Sequence, residues 1–143
     1  MTHPRVSAEE ARRLMLEQEY VYLDVRTEAE VGLGHPEGAY NVPFMLQTPR
    51  GMRENPDFVA VVSRALGRDA KLVVGCQVGN RSRAAVEKLR EAGLTEIVEQ
   101  RAGYEGVRDA FGRTIELGWR AVGLPCATEL LTGRDYAALA RRP

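Results

Sequence analysis

Apolar and polar positions along this chain switch repeatedly between a helical and a strand period. Residues 7–18, "SAEEARRLMLEQ", set Ala11, Leu14 and Met15 at helical spacing behind a Ser7–Glu10 capping box, and so predict an amphipathic helix. The β-rich run 20–25, "YVYLDV", predicts a strand, and 40–44 is extended at best because Pro43 biases Val42 away from helix. Residues 48–56, "TPRGMRENP", predict a loop. Asn55 and Pro56 fit the N-cap and first position of a helix that runs to a stop at Gly67. A second strand is predicted at 71–76 and a helix at 82–93, with Ala85, Val86 and Leu89 on one face and Gly93 as its stop. A third strand follows at 96–100, then a less regular glycine-spaced stretch and a short helix within 127–139.

Strands that alternate with helices define an α/β fold, a parallel sheet with helices on both faces. The 143 residues suit a single domain, with a core over about 7–126 and a C-terminal tail over 127–143. In such sheets ligands bind beyond the carboxyl ends of the strands.

Composition narrows the function classes. Net charge is zero, so no global field favours nucleic acid or an anionic membrane, and any anion selectivity is local. Two cysteines, Cys76 and Cys126, cannot make a disulfide framework. The first residues, "MTHPRVSAEEARRL", lack the apolar stretch of a signal peptide, and no segment approaches the ~18 apolar residues of a membrane span. The expected compartment is the cytoplasm, where thiols stay reduced.

Cys76 stands where the apolar run 71–76 stops and a helix is about to begin, followed by Gln77, Val78, Gly79, Asn80, Arg81 and Ser82. A strand-to-helix loop presents unpaired backbone N–H groups, and the helix dipole adds partial positive charge. Such surroundings favour a thiolate over a thiol. Gly79 permits a tight cradle, Arg81 adds a fixed positive charge or braces the loop against Asp24 or Glu30, and Ser82 serves as N-cap or anion donor. The competing description of Cys76 is a small buried hydrophobe. A Walker phosphate loop does not fit, because "GCQVGNRS" lacks the lysine and the glycine spacing. No His/Cys spacing suggests a metal site, and no cofactor is called for.

"CQVGNRS" resembles the active-site loop of single-domain rhodaneses, sulfurtransferases with a Cys-x4-Arg-Ser/Thr pattern. Upstream, "YLDVRTEAEVGLGHPEGAYNVPF" resembles that family's first signature through Asp24, Arg26, Glu30, Gly34, His35, Gly38, Ala39, Asn41 and Pro43. "GWRAVGLP" (118–125) resembles its closing signature. Two departures stand out: "GHPEGA" shifts a proline, and 101–119 is longer than the usual link, with Ala102 at a common glycine position.

The resemblance implies that the Cys76 thiolate takes sulfane sulfur from a small anionic donor such as thiosulfate. The resulting persulfide then passes sulfur to cyanide or a thiol. Backbone N–H groups of residues 77–81 would hold the persulfide. Asp24, Arg26, Glu30 and His35 are implied as structural support. A protein could supply or accept the sulfur instead, and an inactive binding module would usually lack the cysteine. Phosphatases and arsenate reductases resemble this loop less, since theirs is one residue longer. Cys126 is expected to pack, with resolution of a persulfide as the alternative, and Trp119 to lie in the core or the pocket wall.

Overall fold

The computed structural model describes residues 4–78 and 80–143. A two-residue strand β1 (Arg5–Val6) leads into helix α1 (Ala8–Glu17), which opens with the predicted reciprocal Ser7–Glu10 capping box. Strand β2 (Val21–Asp24) follows, then helix α2 (Glu28–Gly32), the short strands β3 (His35–Pro36) and β4 (Tyr40–Asn41), and a hairpin of β5 (Met45–Thr48) and β6 (Gly51–Glu54). Helix α3 (Phe58–Leu66), strand β7 (Leu72–Gly75), helix α4 (Asn80–Glu91) and strand β8 (Ile97–Gln100) come next. A second hairpin, β9 (Gly106–Arg108) with β10 (Thr114–Leu117), precedes strand β11 (Cys126–Ala127) and helix α5 (Tyr136–Ala140).

Strands β1, β8, β7, β2 and β4 lie in that order in one sheet, and every neighbouring pair is parallel. Strand period divides the core in two. Leu72, Val74 and Cys76 face one side with Leu23 and Val25, packed against α3, α4 and α5 through Phe58, Val62, Ala85, Leu89 and Leu139. Tyr22, Val73 and Val98 face the other, against Ala8 and Ala11 of α1 and against Trp119. Helices therefore cover both faces, as predicted. β7 is central, so its carboxyl end opens between its neighbours.

Four local expectations need correction. Residues 45–54 form an antiparallel hairpin around Pro49 and Arg50, so much of the stretch 48–56 predicted as loop is its turn and second strand. Asn55 and Pro56 do not start α3, which begins at Phe58. Asn55 is buried instead: its Oδ1 accepts the Asp57 N–H at 3.0 Å, and its Nδ2 donates to the Pro43 carbonyl at 2.9 Å. The glycine-spaced stretch contains the β9–β10 hairpin. Segment 127–143 is no loose tail, since Leu139 is fully buried in the main core. Among the described residues, no helix is long and apolar enough to cross a membrane.

Candidate active site

Cys76 follows the last residue of β7, and α4 begins four residues later. Its side chain is 2% exposed, on the α4 side of the sheet. Strand parity sends it there, in line with Leu72 and Val74. The first turns of α1 and α2 carry acidic residues that offset their own dipoles, whereas the first turn of α4 has none. The positive end of that 12-residue helix is thus left for the cysteine loop.

The back of the loop is tied down. The Tyr104 amide donates to the Cys76 carbonyl at 2.8 Å and the Glu105 amide to the Gln77 carbonyl at 3.0 Å. In a trans peptide the N–H points opposite its carbonyl, so the Gln77 and Val78 amides are aimed away from 103–105. Gly103 makes this approach fit. Its φ is +67°, and a Cβ there would lie 2.6 Å from both the Cys76 and Gln77 oxygens. A relay supports it from beneath: the buried Tyr22 hydroxyl donates to Gln100 at 2.7 Å, and Gln100 donates to the Gly103 carbonyl at 3.1 Å. Burial, with Asp24 second, pushes the Tyr22 phenol well above its ordinary range.

The arginines brace the loop. Arg26, 2% exposed, forms a bidentate pair with Asp24 at 2.7–3.2 Å, donates to Gln77 Oε1 at 3.0 Å and to the Gly34 carbonyl at 2.7 Å, and stacks on Tyr104 at 4.5 Å. Arg81 grips both oxygens of Glu30 at 2.6 and 2.8 Å. That grip, opposed by partial burial and aided by the Thr27 amide, holds the Glu30 carboxyl down at about 2. Glu30 also closes the capping box of α2 with Thr27. Of the two carboxylates considered for Arg81, Glu30 is the one it pairs with. His35 is buried and bonds the Val31 carbonyl through Nδ1 at 2.8 Å. The positive charges of Arg26 and Arg81 are matched by carboxylates, so local positive potential falls to the amides and the helix end.

Ser82 departs from its expected place. It lies inside α4, is fully buried, and its Oγ is 3.4 Å from Cys76 Sγ and 2.8 Å from Glu99 Oε2. It is not the N-cap. Gln77 and Val78 form the loop and Asn80 opens α4; Gly79 lies outside the described residues. Clefts flank the loop on two sides. One of about 340 Å³ is lined by Arg26, Glu30, Gln77, Tyr104 and Arg120, and one of about 370 Å³ by Val78, Asn80 and the start of the β9–β10 hairpin. Cys126 does not pack as expected. It is exposed in β11, with Sγ 3.3 Å from the Leu124 carbonyl. Burial first, and contact with Cys126 next, push the Tyr104 phenol up to about 12. Trp119 is fully buried and meets Tyr22 edge-on at 5.3 Å.

Sequence reasoning missed Tyr22, Glu99, Gln100, Gly103 and Tyr104. One signal was present: "EIVEQ" carries Glu99 and Gln100 in a strand that the α/β pattern buries on both faces, where polar side chains need partners.

Fold and site together define a parallel α/β domain whose central strand delivers one cysteine beneath a helix N-terminus. The chain belongs to the rhodanese-like domain family, whose profile matches residues 7–110. It is 46% identical over 83 residues to Thiosulfate sulfurtransferase 16, chloroplastic, of Arabidopsis thaliana, a match covering 58% of this chain and 69% of that protein. Over 85 residues it is 40% identical to Senescence-associated protein DIN1 of Raphanus sativus, covering 59% of this chain and 46% of that one. The crystal structure of Rv0390 from M. tuberculosis superposes with a TM-score of 0.73 at 31% identity, over 90% of this chain and 100% of that one.

Proposed function

We propose that this protein is a sulfurtransferase working through a persulfide on Cys76. The thiolate attacks the outer sulfur of an anionic donor such as thiosulfate, forming an S–S bond while sulfite departs with the electron pair. A second nucleophile, cyanide or a thiolate, then takes the outer sulfur and releases the Cys76 thiolate. Two displacements through a covalent intermediate give ping-pong kinetics. The observation that carries this reading is the loop itself. Its carbonyls are tied back to 103–105, its amides are aimed the other way, and a helix with no acidic residue in its first turn begins four residues after the cysteine. Amides and a helix dipole act on an anion as an oxyanion hole acts on oxygen. Membership of the family and likeness to a relative named thiosulfate sulfurtransferase support it.

The test is direct. Thiosulfate with cyanide yields thiocyanate, the intact mass rises by one sulfur atom after thiosulfate alone, and Cys76→Ser loses both. Wild-type protein that gains no sulfur from any donor overturns the function.

One observation favours a second reading, receipt of sulfur from a partner protein. The β9–β10 hairpin borders the cleft beside the loop and exposes Phe111, Ile115 and Leu117, with Val78 exposed on the loop. No turnover with thiosulfate, but sulfur uptake from a cysteine desulfurase, would select it.

A further inference from the structure

Glu99 is fully buried in β8, and nothing in the two-step transfer uses it. Register explains its position. It pairs with Arg5 on one side and Val74 on the other, so its side chain shares Val74's face, beneath α4. Arg5 Nε donates to Glu99 Oε1 at 3.0 Å. The other oxygen, Oε2, accepts the Ser82 hydroxyl at 2.8 Å, and the same hydroxyl oxygen lies 3.4 Å from Cys76 Sγ. A carboxylate, a hydroxyl and a thiol thus stand in line, all inside the protein.

We propose that Glu99 is the proton store for Cys76, acting through Ser82. The serine hydroxyl has one proton to give. While Glu99 receives it, the cysteine is the thiol and donates to Ser82 Oγ. In the alternative arrangement the Cys76 S–H bond breaks as its proton passes to Ser82 Oγ, and the serine proton passes to Glu99 Oε2. The thiol becomes a thiolate, the carboxylate becomes a carboxylic acid, and Ser82 turns its donor to the sulfur. Nothing is oxidised and no proton leaves the protein. One negative charge moves from the Arg5 side of the relay to the helix end, where the donor binds. Buried charges are costly when unpaired, and here the moving charge has a partner at each end.

This role rests on the sulfur-transfer chemistry proposed above, but it can be read without any sulfur donor. Among the described residues, the charged groups around the relay are Arg5 from β1, Arg81 from α4 with its partner Glu30, and the Asp24–Arg26 pair with Tyr22 on β2. Arg26 and Arg81 stay charged, the Tyr22 phenol stays protonated, and Glu30 stays ionised across pH 5–8, each following from the direction of its shift. They provide a constant background.

The experiment is the rate of Cys76 alkylation by iodoacetamide, read from the mass of its peptide, between about pH 5 and 8 in the full chain. In wild type the proton is shared within the pair, so the rate is nearly flat over roughly two pH units. In Glu99→Gln, which keeps the shape but stores no proton, the thiolate forms only by losing its proton to water. Its rate falls about tenfold for each pH unit below the midpoint. Ser82→Ala breaks the line at its centre and gives the same steep profile, which keeps the test open if Glu99→Gln does not fold. A Glu99→Gln profile of unchanged shape, whether shifted uniformly up by loss of charge or down by loss of structure, overturns the relay. A wild-type profile that is flat and turns steep in Glu99→Gln, without sulfur uptake, keeps the relay and removes the sulfurtransferase function. Sulfur uptake with a steep wild-type profile does the reverse.

Discussion

A methyl group at position 103 would meet two carbonyl oxygens at 2.6 Å, and both belong to the cysteine loop. Gly103→Ala is therefore expected to destabilise the fold by about 1–3 kcal/mol, as overpacking does, and to lower sulfur transfer beyond what lost stability explains. Gly112→Ala is the control. Its φ is +80°, yet nothing lies within 4 Å of the added carbon, so backbone strain alone remains. Urea unfolding of both variants, with thiocyanate formation per folded molecule, checks the pair. Equal losses in the two would mean that the close approach at 103 does not hold the loop. Breaking the Asp24–Arg26 pair is expected to be more severe. Asp24→Asn strands a 2%-exposed guanidinium, and removing one partner of a buried pair typically costs about 3–5 kcal/mol.

Helix α2 and helix α4 are clamped together by Glu30 and Arg81, and this clamp has a pH signature. Glu30 ionises at about 2 rather than at its ordinary 4.5, so its contribution is complete above about 4.5 and is lost as pH falls through about 2. The urea midpoints of wild type and Glu30→Gln are expected to differ by a constant amount above pH ~5 and to converge on approach to pH ~2. A gap that persists at the acid end would place the loss in packing rather than charge. Elements of this kind were legible in part. The 82–93 pattern found most of α4 because Ala85, Val86 and Leu89 recur at helical spacing against a sheet. The Ser7–Glu10 capping box was found by the same spacing that Thr27 and Glu30 repeat unremarked in "TEAE". The β5–β6 hairpin escaped because its strands are short and largely exposed, with no alternation strong enough to outweigh the Pro49 and Gly51 turn signals. Cys76 and Arg81 could be picked out by their place at a strand-to-helix junction, and Arg26 by the resemblance of 22–44 to a family signature, since each sits in a contiguous motif. The Cys76–Ser82–Glu99 line could not, because a contact across 17 residues depends on strand register, which no local pattern specifies.

Helix α5 makes the molecule larger than its sequence motifs. Leu139 fills the core against α3, Tyr136 accepts from Asn55 at 3.1 Å, and Arg64 donates to the Ala140 and Arg142 carbonyls. Leu139→Ala is expected to lose about 2–5 kcal/mol in urea unfolding; a loss under 1 kcal/mol would show that α5 is dispensable. The same C-terminal segment closes one border of the main sheet, where the Asn41 amide donates to the Arg134 carbonyl at 2.9 Å. At the opposite border Arg101 reaches the Arg5 carbonyl at 3.3 Å. Both outermost strands are only two residues long. A neighbouring molecule seeking to extend this sheet finds a dipeptide on either flank, each already partly engaged by its own chain. Fibre growth through the five-stranded sheet has almost no template from which to begin.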